Sequence, residues 1–125
     1  MAVNCEKVVS DLFAAWTRLD LDGIMSHFAE DAVWDNVPMQ PAKGKSAIRE
    51  MTNGFLRDAS SFKAEILKSV HEGSFVFNSR VDTVLMKNGK KVEVPVAGMF
   101  ELDSTGKIKV WRDYFDLKSF EKQLA

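Results

Sequence analysis

Halfway along this 125-residue chain the apolar residues change period, and that change confines the fold to two unlike layers. Val8, Val9, Leu12, Phe13, Trp16 and Leu19 recur at helical spacing, which predicts an amphipathic helix over roughly residues 4–19. A shorter segment with Leu21, Ile24, Met25 and Phe28 follows, and Ile48, Met51 and Phe55 mark a third helix with Ser46 near its start. Between these, AVWDNVP, residues 32–38, reads as a short extended piece ended by Pro38, with Trp34 and Asn36 on one face.

From about Phe62 the period falls to two. The runs FKAEILKSV, FVFNSRVDTVLM, KVEVPVAGMFEL and KIKVWRDYF predict four successive strands. Asn88 and Gly89 suit a tight hairpin turn, and Asp103 to Gly106 a second one. Pro95, which lacks a ladder donor, marks an edge or a bulge in the third run. Asp116 stands where an N-cap would start a last helix, Leu117 to Leu124. The expected architecture is α+β: a curved antiparallel sheet wrapped around the N-terminal helices, with a deep apolar pocket between the layers. Residues 1–125 form a single domain, since the length suffices for one core and not for two.

Charge and composition narrow the function. With 17 Lys and Arg against 18 Asp and Glu, the net charge of −1 offers no attraction to nucleic acid or to an anionic membrane surface. No apolar run approaches a membrane span, and MAVNCEKVVS lacks the features of a signal peptide. One cysteine, Cys5, excludes an intrachain disulfide, and with only His27 and His71 beside it there is no zinc-type ligand set. The expectation is a cytoplasmic protein without metal or cofactor, acting on a small molecule.

Two strands carry an anomaly. Alternation puts Trp111, Asp113 and Phe115 on one face, so a carboxylate stands between two aromatic rings. On FVFNSRVDTVLM the same alternation groups Val76, Asn78, Arg80, Asp82, Val84 and Met86, again mixing charge with apolar residues. By spacing alone, Arg-x-Asp on a strand is ordinarily a solvated ion pair. An Arg lying between Asp82 and Asp113 would instead donate to both, and two such neighbouring carboxyls share their protons unequally, supplying one acid and one base.

SRVD at 79–82, GKKVEVPVAGMFEL, GKIKVWRDYFDLKSFE and FAEDAVWDNVPMQPAKG together resemble the limonene-1,2-epoxide hydrolase family, within the nuclear transport factor two-like cone folds. That fold also hosts polyketide cyclases, ketosteroid isomerases and noncatalytic binding domains. The resemblance implies an Asp-Arg-Asp set that opens an epoxide with water: Asp113 as the base, Asp82 as the acid and Arg80 as the bridge. Asn36 matches the family's water-positioning asparagine. Trp34 stands where the family has a tyrosine, and an indole N–H can donate to a water but cannot accept from it. The family's apolar pocket maps onto Phe13, Trp16, Phe55, Val84, Val94, Val96 and Phe115, which implies an apolar epoxide as substrate. It also implies a homodimer packed through the open sheet face.

Overall fold

The computed structural model describes residues 3–125. Helix α1 (Cys5–Thr17) starts at Asn4, whose side chain accepts from the Lys7 amide, and α2 (Leu21–Met25) starts at Asp20, which accepts from the Gly23 amide. Strands β1 (Phe28–Val37) and β2 (Ala42–Lys43) lead into α3 (Lys45–Asp58). Four long strands follow, β3 (Ala59–Glu72), β4 (Phe75–Met86), β5 (Lys91–Leu102) and β6 (Ile108–Tyr114), and α4 (Leu117–Leu124) closes the chain. Asp116 caps α4 by accepting from the Ser119 amide, as its position in the sequence implies.

The six strands of the described residues form one sheet in the order β2-β1-β6-β5-β4-β3. The expected meander of four antiparallel strands is present, with Gly89 and Gly106 at positive φ in its hairpin turns. The sheet as a whole is mixed, however, because β1 lies parallel to β6. An alternating pattern shows which face of a strand is buried but is the same read in either direction, so the sequence left this orientation open. Phe28, grouped above with the second helical segment, is the first residue of β1 instead, where it stacks on Trp111 with centroids 6.1 Å apart. Register shifts in β1, in β3 and between β5 and β6 interrupt the ladders, and shifts of this kind bend a sheet. The curved, unclosed sheet cups the helices, as expected.

Pro95 sits at a local edge rather than a bulge. The β4–β5 register runs unbroken through Val81 and Pro95, whereas β6 reaches β5 only from Ala97 onward. Beside this free stretch lies α4, whose Gln123 side chain accepts from the Glu93 amide and donates to the Glu93 carbonyl. Residue 95, two positions on, points its nitrogen the same way as Glu93, where no strand waits for a donor.

The core forms where α1 meets the inner face of the sheet. Leu12, Phe13 and Trp16 of α1 pack with Phe28, Phe100 and Trp111, all buried. Trp111 is the hub: it stacks on Trp34 at 4.5 Å and 12°, and on Phe100 at 5.4 Å, and takes the edge of Phe13 at 5.8 Å. No helix of the described residues is long and apolar enough to cross a membrane.

Candidate active site

Register places the polar residues before any side chain is considered. Asn36 pairs with Asp113 across β1 and β6, Asp113 with Gly98 across β6 and β5, and Gly98 with Asn78 across β5 and β4. One row across the concave face therefore reads Asn36, Asp113, Gly98, Asn78. Arg80 lies two residues along β4, opposite Val96, and Asp82 two further, opposite Val94. To meet Asp113, the Arg80 side chain must cross β5, about 9–10 Å at the usual strand spacing. It can do so because residue 98 has no side chain. A Cβ there would collide with Arg80 Nη1 and lie 2.8 Å from Asp113 Oδ1 and 3.0 Å from Asn78 Oδ1.

Four of the guanidinium's five N–H groups then find acceptors. Nε and Nη2 donate to the two oxygens of Asp82 at 2.9 and 3.2 Å, Nη2 also donates to Asp113 Oδ2 at 2.5 Å, and Nη1 donates to Asn78 Oδ1 at 3.0 Å. Arg80 is 1% exposed, and the Phe13 ring covers it with its centroid 4.6 Å from Cζ. The second oxygen of Asp113 accepts from Trp111 Nε1 at 2.8 Å. Burial pushes the Asp82 carboxyl above the usual range, and the Arg80 guanidinium reverses this only in part. Burial also opposes the charge on Arg80, but Asp113 and Asp82 outweigh it and hold the guanidinium above its ordinary value. Burial thus biases the Asp82 carboxyl toward its protonated form, while the two neighbouring carboxyls, against burial, hold the charge on Arg80.

Asp82 and Asp113 both open into a cavity of about 460 Å³ between the sheet, α1, α3 and α4. Each of the seven residues expected to form an apolar wall lines it: Phe13 and Trp16 on α1, Phe55 on α3, Val84 on β4, Val94 and Val96 on β5, and Phe115 after β6. Asn36 and Trp34 line it too, and Arg80 lies beneath. The Asn36 amide nitrogen contacts Met51 Sδ at 3.7 Å, so its oxygen stays available at the cavity wall beside Asp113. Trp34 is placed differently from Asn36: its ring stacks on Trp111, and its Nε1 is buried with no hydrogen-bond partner among the described residues.

Sequence reasoning missed several contributors. Trp111 stood in the motif as an aromatic wall, yet its N–H bonds Asp113, and the i, i+2 spacing that puts both on one face was the available signal. Asn78 carried the same i, i+2 signal toward Arg80, whereas Gly98 gave none, because its importance depends on which residues lie opposite it. Phe120 and Leu124 of α4 also reach the cavity, and Phe120 packs edge-on against Phe115 at 6.0 Å.

With this geometry in view, the chain can be set beside known proteins. Residues 3–125 match the limonene-1,2-epoxide hydrolase catalytic domain. Epoxide hydrolase EphG of Mycobacterium tuberculosis (strain ATCC 25618 / H37Rv) is 28% identical over 105 residues, which span 84% of this chain and 68% of that protein. An M. tuberculosis LEH-like epoxide hydrolase of known structure superposes with a TM-score of 0.85 at 25% identity, covering 98% of this chain and 90% of the other. SalBIII, an epoxide hydrolase/cyclase-like enzyme with a role in pyran ring formation in the polyether salinomycin, superposes with a TM-score of 0.82 at 21% identity over 92% of each chain. The SalBIII likeness shows the shared fold alone.

Gly98→Ala tests the passage across β5. The added methyl forces apart a packed cluster, and the variant should lose about 1–3 kcal/mol in denaturant unfolding. An unchanged unfolding midpoint would show that the cluster has slack.

Proposed function

The chain belongs to the limonene-1,2-epoxide hydrolase family, and from that premise we propose that it adds water to an apolar epoxide, giving a vicinal diol in one concerted step. The observation that carries this reading is a buried arginine donating to two carboxylates that both face one apolar cavity. Asp113 takes a proton from water as the water oxygen attacks an epoxide carbon. The carbon–oxygen bond on that carbon breaks, and Asp82 delivers its proton to the departing oxygen. The product holds both, and the enzyme is left with a protonated Asp113 and an ionised Asp82. Net transfer of one proton between the two restores the starting state, and the charge of Arg80 is constant throughout.

Asn36, next to Asp113 in the ladder, holds the attacking water through its amide. Trp34 forms the rear wall, since its N–H is buried and its ring is committed to the stack on Trp111. The apolar lining excludes bulk water and binds the substrate by burial, so a cyclic, aryl or terpene-like epoxide fits, and the lining residues set its shape. A polyketide cyclase or ketosteroid isomerase of this fold would shuttle one proton on an enolisable ketone, which requires no arginine that bridges two carboxyls.

A second copy of the chain would suit the outer face of the sheet. There Phe75 and Phe77 stack at 6.4 Å, and Val70, Leu85 and Tyr114 are exposed with them. We propose a homodimer through this face. Sedimentation should give twice the chain mass for the wild type and the single mass for Phe77→Glu. A wild type that sediments as one chain removes the dimer.

Hydrolysis of an epoxide panel in oxygen-18 water should place one labelled oxygen in each diol. Asp113→Asn and Asp82→Asn should each lower turnover by at least ~100-fold with the fold retained, because each deletes a proton transfer typically contributing 10²–10⁴-fold. Near-normal hydrolysis by either folded variant would sink the assignment.

The water site has its own check. Asn36→Ala should lose about 10- to 100-fold in turnover. Trp34→Phe should instead keep turnover within about tenfold and show a packing loss in thermal melting. Equal losses in rate would make the indole N–H a ligand of the water.

A further inference from the structure

The row that brings Asp113 to Arg80 ends in a residue for which the proton transfers above have no use. Asn78 is 5% exposed, stands opposite Gly98, and is not among the residues lining the cavity. Its Oδ1 accepts from Arg80 Nη1 at 3.0 Å, while its Nδ2 is buried with no partner among the described residues. A side chain present only to pack would be apolar, because an unmet buried donor costs about 1–3 kcal/mol. The oxygen therefore needs a reason to be there.

Geometry supplies one half of it. Nε and Nη2 face the two carboxylates, so Nη1 is the corner of the fork that neither Asp reaches. With no acceptor on Nη1 the guanidinium could turn about Cδ–Nε, and Nη2, the one nitrogen that touches both carboxyls, would leave Asp113. Charge supplies the other half. Asp82 and Asp113 are the charged groups acting on Arg80, and Arg80 and Asp113 those acting on Asp82. The neighbouring elements present uncharged side chains to the cluster: Phe13 from α1, Trp111 from β6, Val96 and Gly98 from β5, Asn36 from β1, and Ala64 and Ile66 from β3, opposite Asp82 and Arg80. One cation with two carboxyls is neutral when it retains one proton. An aspartate at 78 would offer Nη1 the same oxygen but add a third negative charge.

We propose that Asn78 is a positioning residue: it gives the Arg80 fork a third acceptor without a third charge, which keeps Nη2 aimed at Asp113 and leaves one proton shared between Asp82 and Asp113. The catalytic half of this statement rests on the epoxide hydrolase reading; the half concerning the proton does not.

The test separates the two. Carboxyl carbon-13 resonances of Asp82 and Asp113 are followed against pH, without substrate, in the wild type and in the near-isosteric Asn78→Asp. The retained proton should be held to a pH about one unit or more higher in the variant, because a like charge enters the cluster. Unchanged titration overturns the charge argument whether or not any epoxide is turned over. On an epoxide that the wild type hydrolyses, Asn78→Leu should lose about 10- to 100-fold in kcat, the loss of one hydrogen bond to a charged group, with KM unchanged. Asn78→Asp should recover part of that kcat with its pH profile displaced upward. A folded Asn78→Leu with wild-type kcat overturns the positioning role. If Asn78→Leu does not fold, the pH profile of Asn78→Asp decides instead, and a profile at the wild-type position counts against the proposal. A wild type that hydrolyses no epoxide defeats the functional reading alone and leaves the titration to judge Asn78.

Discussion

A fully buried guanidinium between two carboxylates sets the terms for everything around it. A charge withdrawn from water must be met by hydrogen bonds on every side, and a cluster lacking one partner is destabilised by several kcal/mol. Arg80 meets that demand with three side chains from two strands, four donated bonds and an aromatic ring over its face. The sheet has to hold β4 and β6 one strand apart, with the intervening residue stripped of its side chain. Curvature, register and the glycine at position 98 are three aspects of one requirement.

The aromatic core follows from the same cluster. Trp111 is at once the centre of the stack formed with Trp34, Phe28 and Phe100 and the donor to Asp113. Its rigidity therefore passes directly to the carboxylate, so the packing that stabilises the fold also fixes the orientation of Asp113. Above the cluster the cavity is walled almost entirely by apolar side chains, a lining suited to an apolar ligand, which burial would hold. The ion cluster itself adds little net stability, since desolvation offsets most of its attraction. Stability therefore does not account for its place in the interior.

Much of this was readable along the chain, and the reasons differ by element. Local patterns located α1, α3 and the four strands of the meander, because helix and strand periods depend on neighbours in sequence. Asp116 as a cap and Asn88-Gly89 as a turn were equally local. Phe28 was misplaced because an apolar residue at the end of a helical segment fits either period, and the pairing of β1 with β6, which decides the matter, joins residues some eighty positions apart. The orientation of β1 was silent for the same reason.

For the site, the residue types and their faces came from alternation, and the family resemblance pointed to Asp82, Arg80 and Asp113 as a set with Asn36 nearby. Those features depend on chemistry written in single side chains and on the period of a strand. What only the folded chain decided is who stands opposite whom. Gly98 and Asn78 look ordinary in the sequence, since a glycine in a strand and an asparagine two before an arginine have many uses. They become specific when the ladders place Gly98 between Asn78 and Asp113. The burial that raises the Asp82 carboxyl and strands the Trp34 N–H likewise arises from layers meeting in space. Alternation along a strand is a property of the local backbone, whereas register and desolvation are set by contacts between distant segments, and the tertiary structure alone supplies those.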